Sequence, residues 1–318
     1  MPVQVAVLDD YQEVARFFGP WDTLGEAVEL TVFHDHISND GVLRDLLADF
    51  EVIVAMRERT PFTAKRLAEL PNLRLLVTTG MGNAAIDMDA ARELGVTVCG
   101  TGSLPSPTAE LTWGLIIALT RNIPEEDRRV REGGWQRTIG PELAGRTLGI
   151  VGLGGLGRRV AAIARAFEMR VLAWSENLSP EAAAAAGAEA VGRDELFVRS
   201  DVVTLHTRLS ERTRGLVGAR ELELMKPTAV LVNTSRGPVV DEAALLAALK
   251  RGTIAGAALD VFDKEPLPAD HPLREAPRTL LTPHLGYVTH GTYEVFYRDA
   301  VDDVAAFLRG EPVRVLNG

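Results

Sequence analysis

Residues 152–157 read Gly-Leu-Gly-Gly-Leu-Gly and constrain the fold more than any other stretch of the chain. An apolar run at residues 148–151 precedes this glycine motif, and residues 158–167 after it carry apolar side chains at helical spacing. The pattern predicts a strand, a tight turn and a helix. In that setting the backbone approaches a pyrophosphate closely, and the anion rests on amide groups of the helix N-terminus. The motif therefore predicts a dinucleotide site, with a purely structural glycine turn as the alternative.

Short β-rich runs alternate with helical stretches on both sides of a linker at residues 101–107, which is rich in Gly, Ser and Pro. The first series predicts strands at residues 3–8, 28–33, 52–56, 73–78 and 96–99. The second series predicts six strands, at residues 148–153, 170–175, 201–207, 229–234, 254–261 and 280–283. Such alternation is typical of parallel sheets covered by helices, and six strands match a complete dinucleotide-binding fold. Because 318 residues exceed what one hydrophobic core supports, we expect two α/β domains.

The composition restricts the partners of the chain. A formal net charge of −10 argues against a surface that coats nucleic-acid phosphates, and no block of like charges suggests a membrane anchor. The most apolar helical stretch, residues 111–119, is too short to cross a bilayer, and the N-terminus lacks the pattern of a signal peptide. The single cysteine, Cys99, excludes an intrachain disulfide and a cysteine cluster for a metal. We therefore expect a cytoplasmic protein with a small-molecule ligand, no metal, and no nucleic-acid or membrane partner.

Three polar residues, Arg236, Glu265 and His284, each follow a predicted strand of the second series. The carboxyl ends of parallel strands share one edge of the sheet with the glycine motif, and ligands of open α/β sheets bind at that edge. A guanidinium, a carboxylate and an imidazole beside a dinucleotide form a set suited to hydride transfer. Taken singly, each residue has a structural alternative, as a surface charge, a solvated loop residue or part of a turn.

The role expected of each group follows from its chemistry. Imidazole titrates near neutral pH, so His284 can remove the hydroxyl proton as hydride leaves the same carbon, or return it during reduction. Glu265 would accept a hydrogen bond from the other ring nitrogen, which fixes the tautomer and favours the protonated ring. Arg236 can hold a carboxylate in bidentate geometry and polarise the neighbouring carbonyl. His206 also ends a strand on this edge, where a cofactor contact and a structural role are both open.

Several stretches together resemble the D-isomer-specific 2-hydroxyacid dehydrogenase family, which includes D-lactate, glycerate, 3-phosphoglycerate and glyoxylate/hydroxypyruvate enzymes. They are residues 79–82, 108–110, 148–157, 232–241, 259–267 and 282–286. The resemblance implies two doubly wound parallel-sheet domains, with a Rossmann cofactor domain, residues 103–286, inserted in a flavodoxin-like substrate domain, residues 1–102 and 287–318. It also implies a substrate cleft between the domains and a homodimer formed through the cofactor domains.

The resemblance further implies a role for particular residues. Arg236, Glu265 and His284 match the family's catalytic arginine, glutamate and histidine. Backbone amides around Gly80, Met81 and Gly82 would receive the substrate carboxylate, together with the side chains of Arg236 and His284. Asp260 would lie near the nicotinamide carboxamide. The residues expected to contact the cofactor are Thr108, Gly152, Gly154, Gly155, Leu156, Gly157, Ser175, Asn177, His206, Thr207, Arg208, Thr213, Thr234, Ser235, Arg236, Asp260, His284 and Gly286.

The chain departs from the family pattern where the adenosine end of the cofactor is expected. Ser175 stands where an acidic residue usually ends the second strand of the cofactor domain, and Glu176 would point to the opposite face of that strand. Loss of the acid removes an acceptor for a ribose hydroxyl and a repulsion against a 2′-phosphate. Arg208 replaces a frequent proline, and we hypothesise that Ser175, Asn177 and Arg208 permit NADP; a surface arginine is the alternative. Whether NAD or NADP is the cofactor stays open.

Two further positions concern the substrate. Ala85 replaces an asparagine that the family often has, and Tyr287 either lines the substrate pocket or packs beside it. The leading interpretation is an NAD(P)-dependent 2-hydroxyacid dehydrogenase that works as a 2-ketoacid reductase. Glu265 argues against a formate-dehydrogenase-like variant, whose members carry glutamine there. A short D-3-phosphoglycerate dehydrogenase, without a regulatory domain after the last helix, stays open, as does a dinucleotide-sensing protein that resembles corepressors of the same fold.

Overall fold

The computed structural model describes the whole chain, residues 1–318. Its strands are β1 (Val3–Val7), β2 (Val28–Val32), β3 (Val52–Ala55), β4 (Leu75–Thr78), β5 (Thr97–Gly100), β6 (Thr147–Val151), β7 (Arg170–Trp174), β8 (Glu189–Ala190), β9 (Val202–Leu205), β10 (Val230–Asn233), β11 (Gly256–Leu259) and β12 (Thr279–Leu281). Its α-helices are α1 (Ala15–Phe18), α2 (Asp40–Leu47), α3 (Ala64–Ala68), α4 (Met88–Glu93), α5 (Pro107–Thr120), α6 (Ile123–Arg131), α7 (Gly155–Ala166), α8 (Pro180–Ala185), α9 (Arg193–Arg199), α10 (Ala219–Leu224), α11 (Glu242–Arg251) and α12 (His290–Leu308). Short 3-10 helices cover Trp21–Ala27, Gly237–Val239 and Pro272–Glu275.

The first compact unit comprises Met1–Leu104 and Thr289–Gly318. Its five strands are all parallel, in the order β2-β1-β3-β4-β5. Every side chain of β3 and β4 is buried, as expected for central strands that are covered on both faces. The C-terminal residues pair with the edge strand β5, because Leu316 N–H donates to Val98 O (2.8 Å) and Gly100 N–H donates to Arg314 O (3.1 Å).

The second compact unit, Pro105–Val288, contains a parallel sheet of seven strands in the order β12-β11-β10-β9-β6-β7-β8. The direction in which successive strands are added reverses beside β6, so the crevice for a ligand is expected at the carboxyl end of this strand. That end carries the glycine motif. Two apolar clusters fill the two faces of the sheet, one around Leu231 and Leu259 and the other around Ile150 and Val160.

The two parallel sheets with their helices confirm the predicted fold class. No helix of the protein is both long and apolar enough to span a bilayer, and the apolar stretch at residues 111–119 lies in α5, with Trp113 and Ile116 buried. Cys99 is buried in β5, and this burial raises the pKa of its thiol to about 12.

Three details differ from the sequence prediction. The second sheet has seven strands rather than six, because β8 is only two residues long and too short to show a periodic pattern. The helical segments Ala15–Phe18 and Trp21–Ala27 were not predicted. Strand β7 ends at Trp174, and Glu176 lies in a turn. The alternation of side chains along a strand therefore does not determine the direction of Glu176.

Candidate active site

Two glycines of the motif are required by the backbone around them. Gly152 has φ of +100°, and a β-carbon on it would lie 2.8 Å from the carbonyl carbon of His206. A β-carbon on Gly157 would lie 2.2 Å from Gly152 O, so the start of α7 packs directly on the turn. Only glycine fits at both positions, because the left-handed conformation and the close backbone contacts exclude a side chain.

Gly154 and Gly155 differ from these two glycines, because the protein leaves space for a side chain at both positions. A β-carbon on either residue would meet no protein atom within 4 Å, and both residues are exposed. Helix α7 begins at Gly155 and has no side-chain cap, so no side chain of the protein satisfies its first amide groups through a cap. An open cradle over uncapped helix amides is the arrangement that a pyrophosphate fits. The residues present therefore fit a dinucleotide, with Leu156 half-buried beside them.

Residues at the ends of the neighbouring strands β7 and β9 flank the glycine motif on its two sides, and we call these residues the rim. From the β7 side, Trp174 O accepts from Gly152 N–H (2.8 Å) and Ser175 Oγ accepts from Leu153 N–H (2.9 Å). From the β9 side, the backbone of His206 and Thr207 lies against Gly152. Ser175 and Thr207 are thus placed at opposite sides of the same turn.

Two buried polar atoms on the β9 side have no hydrogen-bond partner, namely His206 Nδ1 and Thr207 Oγ1. The other ring nitrogen of His206 lies 3.0 Å from Thr204 Oγ1. Burial lowers the pKa of His206 to about 3, so the ring is neutral at physiological pH. Orphaned buried polar atoms beside the glycine motif are consistent with a site that a polar ligand completes.

Farther along this rim, Asn177 and Arg208 are exposed. The loop after β9 is held by Thr213, whose hydroxyl donates to Arg208 O (2.6 Å) and accepts from Ser210 N–H (2.8 Å). Thr213 therefore fixes the backbone at Arg208 through its own side chain.

The ends of three adjacent strands carry Arg236, Glu265 and His284, which follow β10, β11 and β12 respectively. His284 Nδ1 lies 2.7 Å from Glu265 Oε2, and Glu265 Oε1 accepts from Phe262 N–H (2.9 Å). Both oxygens of the carboxylate are therefore engaged, and the ring orientation of His284 is fixed. His284 has a left-handed backbone, with φ of +54°, and its Nε2 makes no hydrogen bond within the protein.

The loop that carries Arg236 packs tightly against the loop that carries Glu265. A β-carbon on the next residue, Gly237, would lie 2.0 Å from the carbonyl carbon of Phe262, so the loop after β10 touches the loop after β11. Asn233 orders the turn, since its side-chain amide donates to Arg236 O (2.9 Å) and its side-chain oxygen accepts from Ser235 N–H (3.0 Å) and Ser235 Oγ (2.9 Å). Thr234 Oγ1 lies 2.9 Å from Thr112 Oγ1 of helix α5.

Asp260 has a role that the sequence did not reveal. Its Oδ1 accepts from the Thr282 hydroxyl (2.6 Å) and Leu285 N–H (2.7 Å), and its Oδ2 accepts from Gly286 N–H (2.9 Å). Asp260 O also accepts from His284 N–H (2.9 Å). Burial raises the pKa of this carboxyl, and the hydrogen bonds oppose that shift. Asp260 therefore organises the loop that carries His284.

Two other residues border this loop. Thr108 donates its hydroxyl to Gly286 O (2.8 Å), which ties helix α5 to the loop. The ring of Tyr287 packs edge-on against His284, with the ring centroids 5.3 Å apart. This contact supports a packing role for Tyr287 on the imidazole, and a contact of Tyr287 with the substrate stays a prediction.

Gly80, Met81 and Gly82 belong to the first unit, where they follow β4. Gly80 has φ of +87°, and a β-carbon on it would lie 1.9 Å from Arg57 Nη1, which donates to Thr79 O (2.8 Å). Gly80 N–H donates to the Thr101 hydroxyl (2.8 Å), while the Met81 side chain is 57% exposed. The loop is thus held on its protein side by Arg57 and Thr101.

Comparison with known proteins identifies the family. Residues 113–286 match the sequence profile of the NAD binding domain of D-isomer specific 2-hydroxyacid dehydrogenases. The chain belongs to this family. A glyoxylate reductase of Aeropyrum pernix is 41% identical to the dehydrogenase over 262 residues, which are 79% of this chain and 78% of that protein.

Solved structures agree with the family of the dehydrogenase. The crystal structure of a phosphoglycerate oxidoreductase from Vibrio cholerae O395 matches with a TM-score of 0.92 and 39% identity, over 97% of this chain and 99% of that chain. A D-lactate dehydrogenase from Aquifex aeolicus, solved with NAD and lactic acid, matches with a TM-score of 0.83 and 27% identity, over 99% of both chains. The protein is therefore an NAD(P)-dependent oxidoreductase that acts on the CH–OH group of D-2-hydroxy acids.

Proposed function

We propose that the enzyme reduces a short 2-keto acid, glyoxylate first, to the D-2-hydroxy acid, with His284 as the general acid. The 2.7 Å contact between His284 Nδ1 and Glu265 Oε2 carries this proposal. It leaves Nε2 as the ring nitrogen that can face a substrate carbonyl. The glyoxylate reductase activity named for the Aeropyrum pernix relative supports the choice of substrate.

The chain's own groups have distinct tasks in the reaction. A bound reduced nicotinamide supplies the hydride that forms the new C–H bond at C2 of the substrate. As the carbonyl oxygen gains negative charge, His284 gives it the Nε2 proton, so the products are a hydroxyl group and a neutral imidazole. Glu265 accepts the hydrogen bond of the Nδ1 proton, so the proton that is transferred to the substrate is the one on Nε2. In oxidation the same groups act in reverse.

Arg236 is the proposed partner of the substrate carboxylate. A guanidinium can bind a carboxylate through two parallel hydrogen bonds, which fixes both the position and the plane of the acid. Its backbone is set by Asn233 and by the contact at Gly237, so its anchor is rigid. The amides of Gly80, Met81 and Gly82 stay predicted as further contacts of the carboxylate.

A substrate panel tests the activity. Absorbance of the reduced nicotinamide is followed with glyoxylate, hydroxypyruvate, 3-phosphohydroxypyruvate, pyruvate and longer 2-keto acids. We expect the highest kcat/KM with glyoxylate or hydroxypyruvate. A clear preference for 3-phosphohydroxypyruvate would instead support a phosphoglycerate dehydrogenase; the Vibrio cholerae neighbour is named a phosphoglycerate oxidoreductase. Tight dinucleotide binding without any turnover would support the corepressor-like alternative.

The variant His284→Asn tests the assigned proton donor. Asparagine tolerates the left-handed backbone of this position, so the loop is expected to keep its shape. We expect kcat to fall by about 10²- to 10⁴-fold while dinucleotide affinity changes little. His290→Ala, an exposed histidine at the start of α12, is the matched control and should retain full activity. An unchanged kcat in His284→Asn would refute the assignment.

We also propose that the enzyme is a homodimer formed through the dinucleotide-binding unit. The support is a stretch of exposed apolar side chains in and after α6, which includes Trp135 and Ile139, 75% and 98% exposed. Apolar side chains clustered at a surface are typical of protein interfaces. The cytoplasmic location stays a prediction.

A further inference from the structure

The residues that flank Gly152 carry a different charge from those of a site that binds an adenosine ribose without a 2′-phosphate. A site for NAD commonly presents a carboxylate at the end of the second strand, where it accepts hydrogen bonds from the ribose and repels a 2′-phosphate. Here Ser175 occupies that place, and its hydroxyl oxygen already accepts from Leu153 N–H at 2.9 Å. The position therefore offers a neutral hydroxyl group and no negative charge.

The opposite side of the same rim carries a cation. Arg208 is exposed and forms no ion pair within the protein, although the chain has more acidic than basic residues. Its backbone is held by the Thr213 hydroxyl at 2.6 Å. The guanidinium is thus attached to an ordered loop and has no protein anion to neutralise it.

The sheet order brings these two positions to one turn. Strand β6 lies between β7 and β9, so Ser175 and Arg208 flank the glycine motif from its two sides. Beside Arg208, the buried hydroxyl of Thr207 has no partner. A group that carries negative charge and several acceptor oxygens would satisfy both the hydroxyl and the guanidinium.

We propose that this rim selects the 2′-phosphorylated dinucleotide, NADP(H) over NAD(H), and that Arg208 is the residue that recognises the phosphate. A phosphate monoester carries a charge of about −1.5 to −2 at neutral pH and three acceptor oxygens, which suit a bidentate guanidinium. The inference rests on the proposed placement of the dinucleotide at residues 152–157. Glu176 is the one carboxylate in the turn after β7, and the experiment therefore includes it.

Calorimetric titration with NADP⁺ and NAD⁺ in the absence of substrate tests the proposal, so the readout does not depend on turnover. We expect NADP⁺ to bind at least about tenfold more tightly than NAD⁺. Arg208→Ala should remove most of this preference by weakening NADP⁺ alone. Arg212→Ala, an exposed arginine in the same loop, is the matched control and should keep the preference.

Two further variants address the opposite side of the rim. Ser175→Asp keeps an acceptor for Leu153 N–H, and we expect it to weaken NADP⁺ binding about tenfold or more while NAD⁺ binding is retained. Glu176→Gln should leave the ratio of the two affinities nearly unchanged. A strong gain of NADP⁺ affinity in Glu176→Gln, or tighter NAD⁺ binding by the wild type, would overturn the cofactor preference. If neither dinucleotide binds, the placement at residues 152–157 fails as well; if both bind equally, only the preference fails.

Discussion

Glycines at two positions of one motif are present for opposite reasons, and this difference can be measured. Gly157 has no β-carbon because the backbone of Gly152 occupies that place, at 2.2 Å. Gly154 has none although the protein leaves the space open. Gly157 is therefore required for folding, whereas Gly154 keeps the space beside the motif free for a ligand.

The paired variants Gly157→Ala and Gly154→Ala separate these reasons. Gly157→Ala should lower the free energy of unfolding by about 1–3 kcal/mol, because a methyl group is forced against backbone. Gly154→Ala should change it by less than about 0.5 kcal/mol but weaken dinucleotide binding about tenfold, because the methyl group fills the cradle. Urea unfolding and calorimetric titration give the two quantities. Equal loss of stability in both variants, with binding unchanged in Gly154→Ala, would contradict this distinction.

The sequence predicts where a site residue lies in the fold, but not which atoms it contacts. The positions of Arg236, Glu265 and His284 after strands followed from the alternating pattern, because parallel strands end at one edge. The partners of the Asp260 side chain did not follow, since the three hydrogen bonds that it accepts come from Thr282, Leu285 and Gly286, at least 22 positions away. A short-range pattern records which element a residue follows, while the atoms that it contacts depend on long-range packing.

Helix α12 carries a buried carboxyl group whose charge affects stability. Asp303 is fully buried, and Arg314 Nε donates to its Oδ1 at 3.0 Å. Burial raises the pKa of Asp303 to about 7, with smaller contributions in the same direction from Asp299 and Asp302, while Arg314 lowers it. Arg314 also donates to Asp299 O (2.7 Å), so this helix anchors the C-terminal segment that pairs with β5.

The raised pKa of Asp303 predicts a pH-dependent stability with a definite sign. The folded state binds this proton more tightly than the unfolded chain, in which the pKa is about 3.9. The stabilisation is therefore complete below about pH 4 and is lost as the pH rises through about 7. Between about pH 5 and pH 8 the wild type should lose about 2–3 kcal/mol more of its unfolding free energy than Asp303→Asn, which has no proton to release.

Urea unfolding at several pH values measures this difference in slope, independently of the absolute stability of each variant. Glu294→Gln is the matched control, because Glu294 is an exposed carboxyl group on the same helix and is not among the groups that shift the pKa of Asp303. Its pH dependence should follow that of the wild type. Parallel curves for the wild type and Asp303→Asn would show that Asp303 does not titrate in this range.

The elements themselves were largely predictable, and the exceptions have physical causes. Central strands such as β3 and β4 are continuous apolar runs, so their positions are plain in the sequence. Strand β8 pairs with β7 through only two residues, and α1 has four residues, so neither repeats its period in the sequence. Such short elements depend on their neighbours rather than on local preference.

The fold class followed from the two alternating series, but the exposed apolar surface that we propose as a dimer interface did not. The sequence of residues 123–139 gives no sign that its apolar side chains stay exposed. The structure leaves Ile123 and Val130 about half exposed, at 48% and 53%, and they line one shallow depression with Ile117 of α5. Exposure of these groups is costly in water, and a second copy of the chain would remove much of it.

This surface predicts a dimer that can be separated by substitution. Size-exclusion chromatography with light scattering should give twice the 34.4 kDa chain mass for the wild type and the single chain mass for the double variant Trp135→Ser/Ile139→Ser. Phe17→Ser removes another exposed aromatic ring, in the first unit, and should leave the dimer intact. Circular dichroism of the double variant should match the wild type, because neither substituted side chain is buried in the core. A monomeric wild type, or a double variant that stays dimeric, would place the interface elsewhere or remove it.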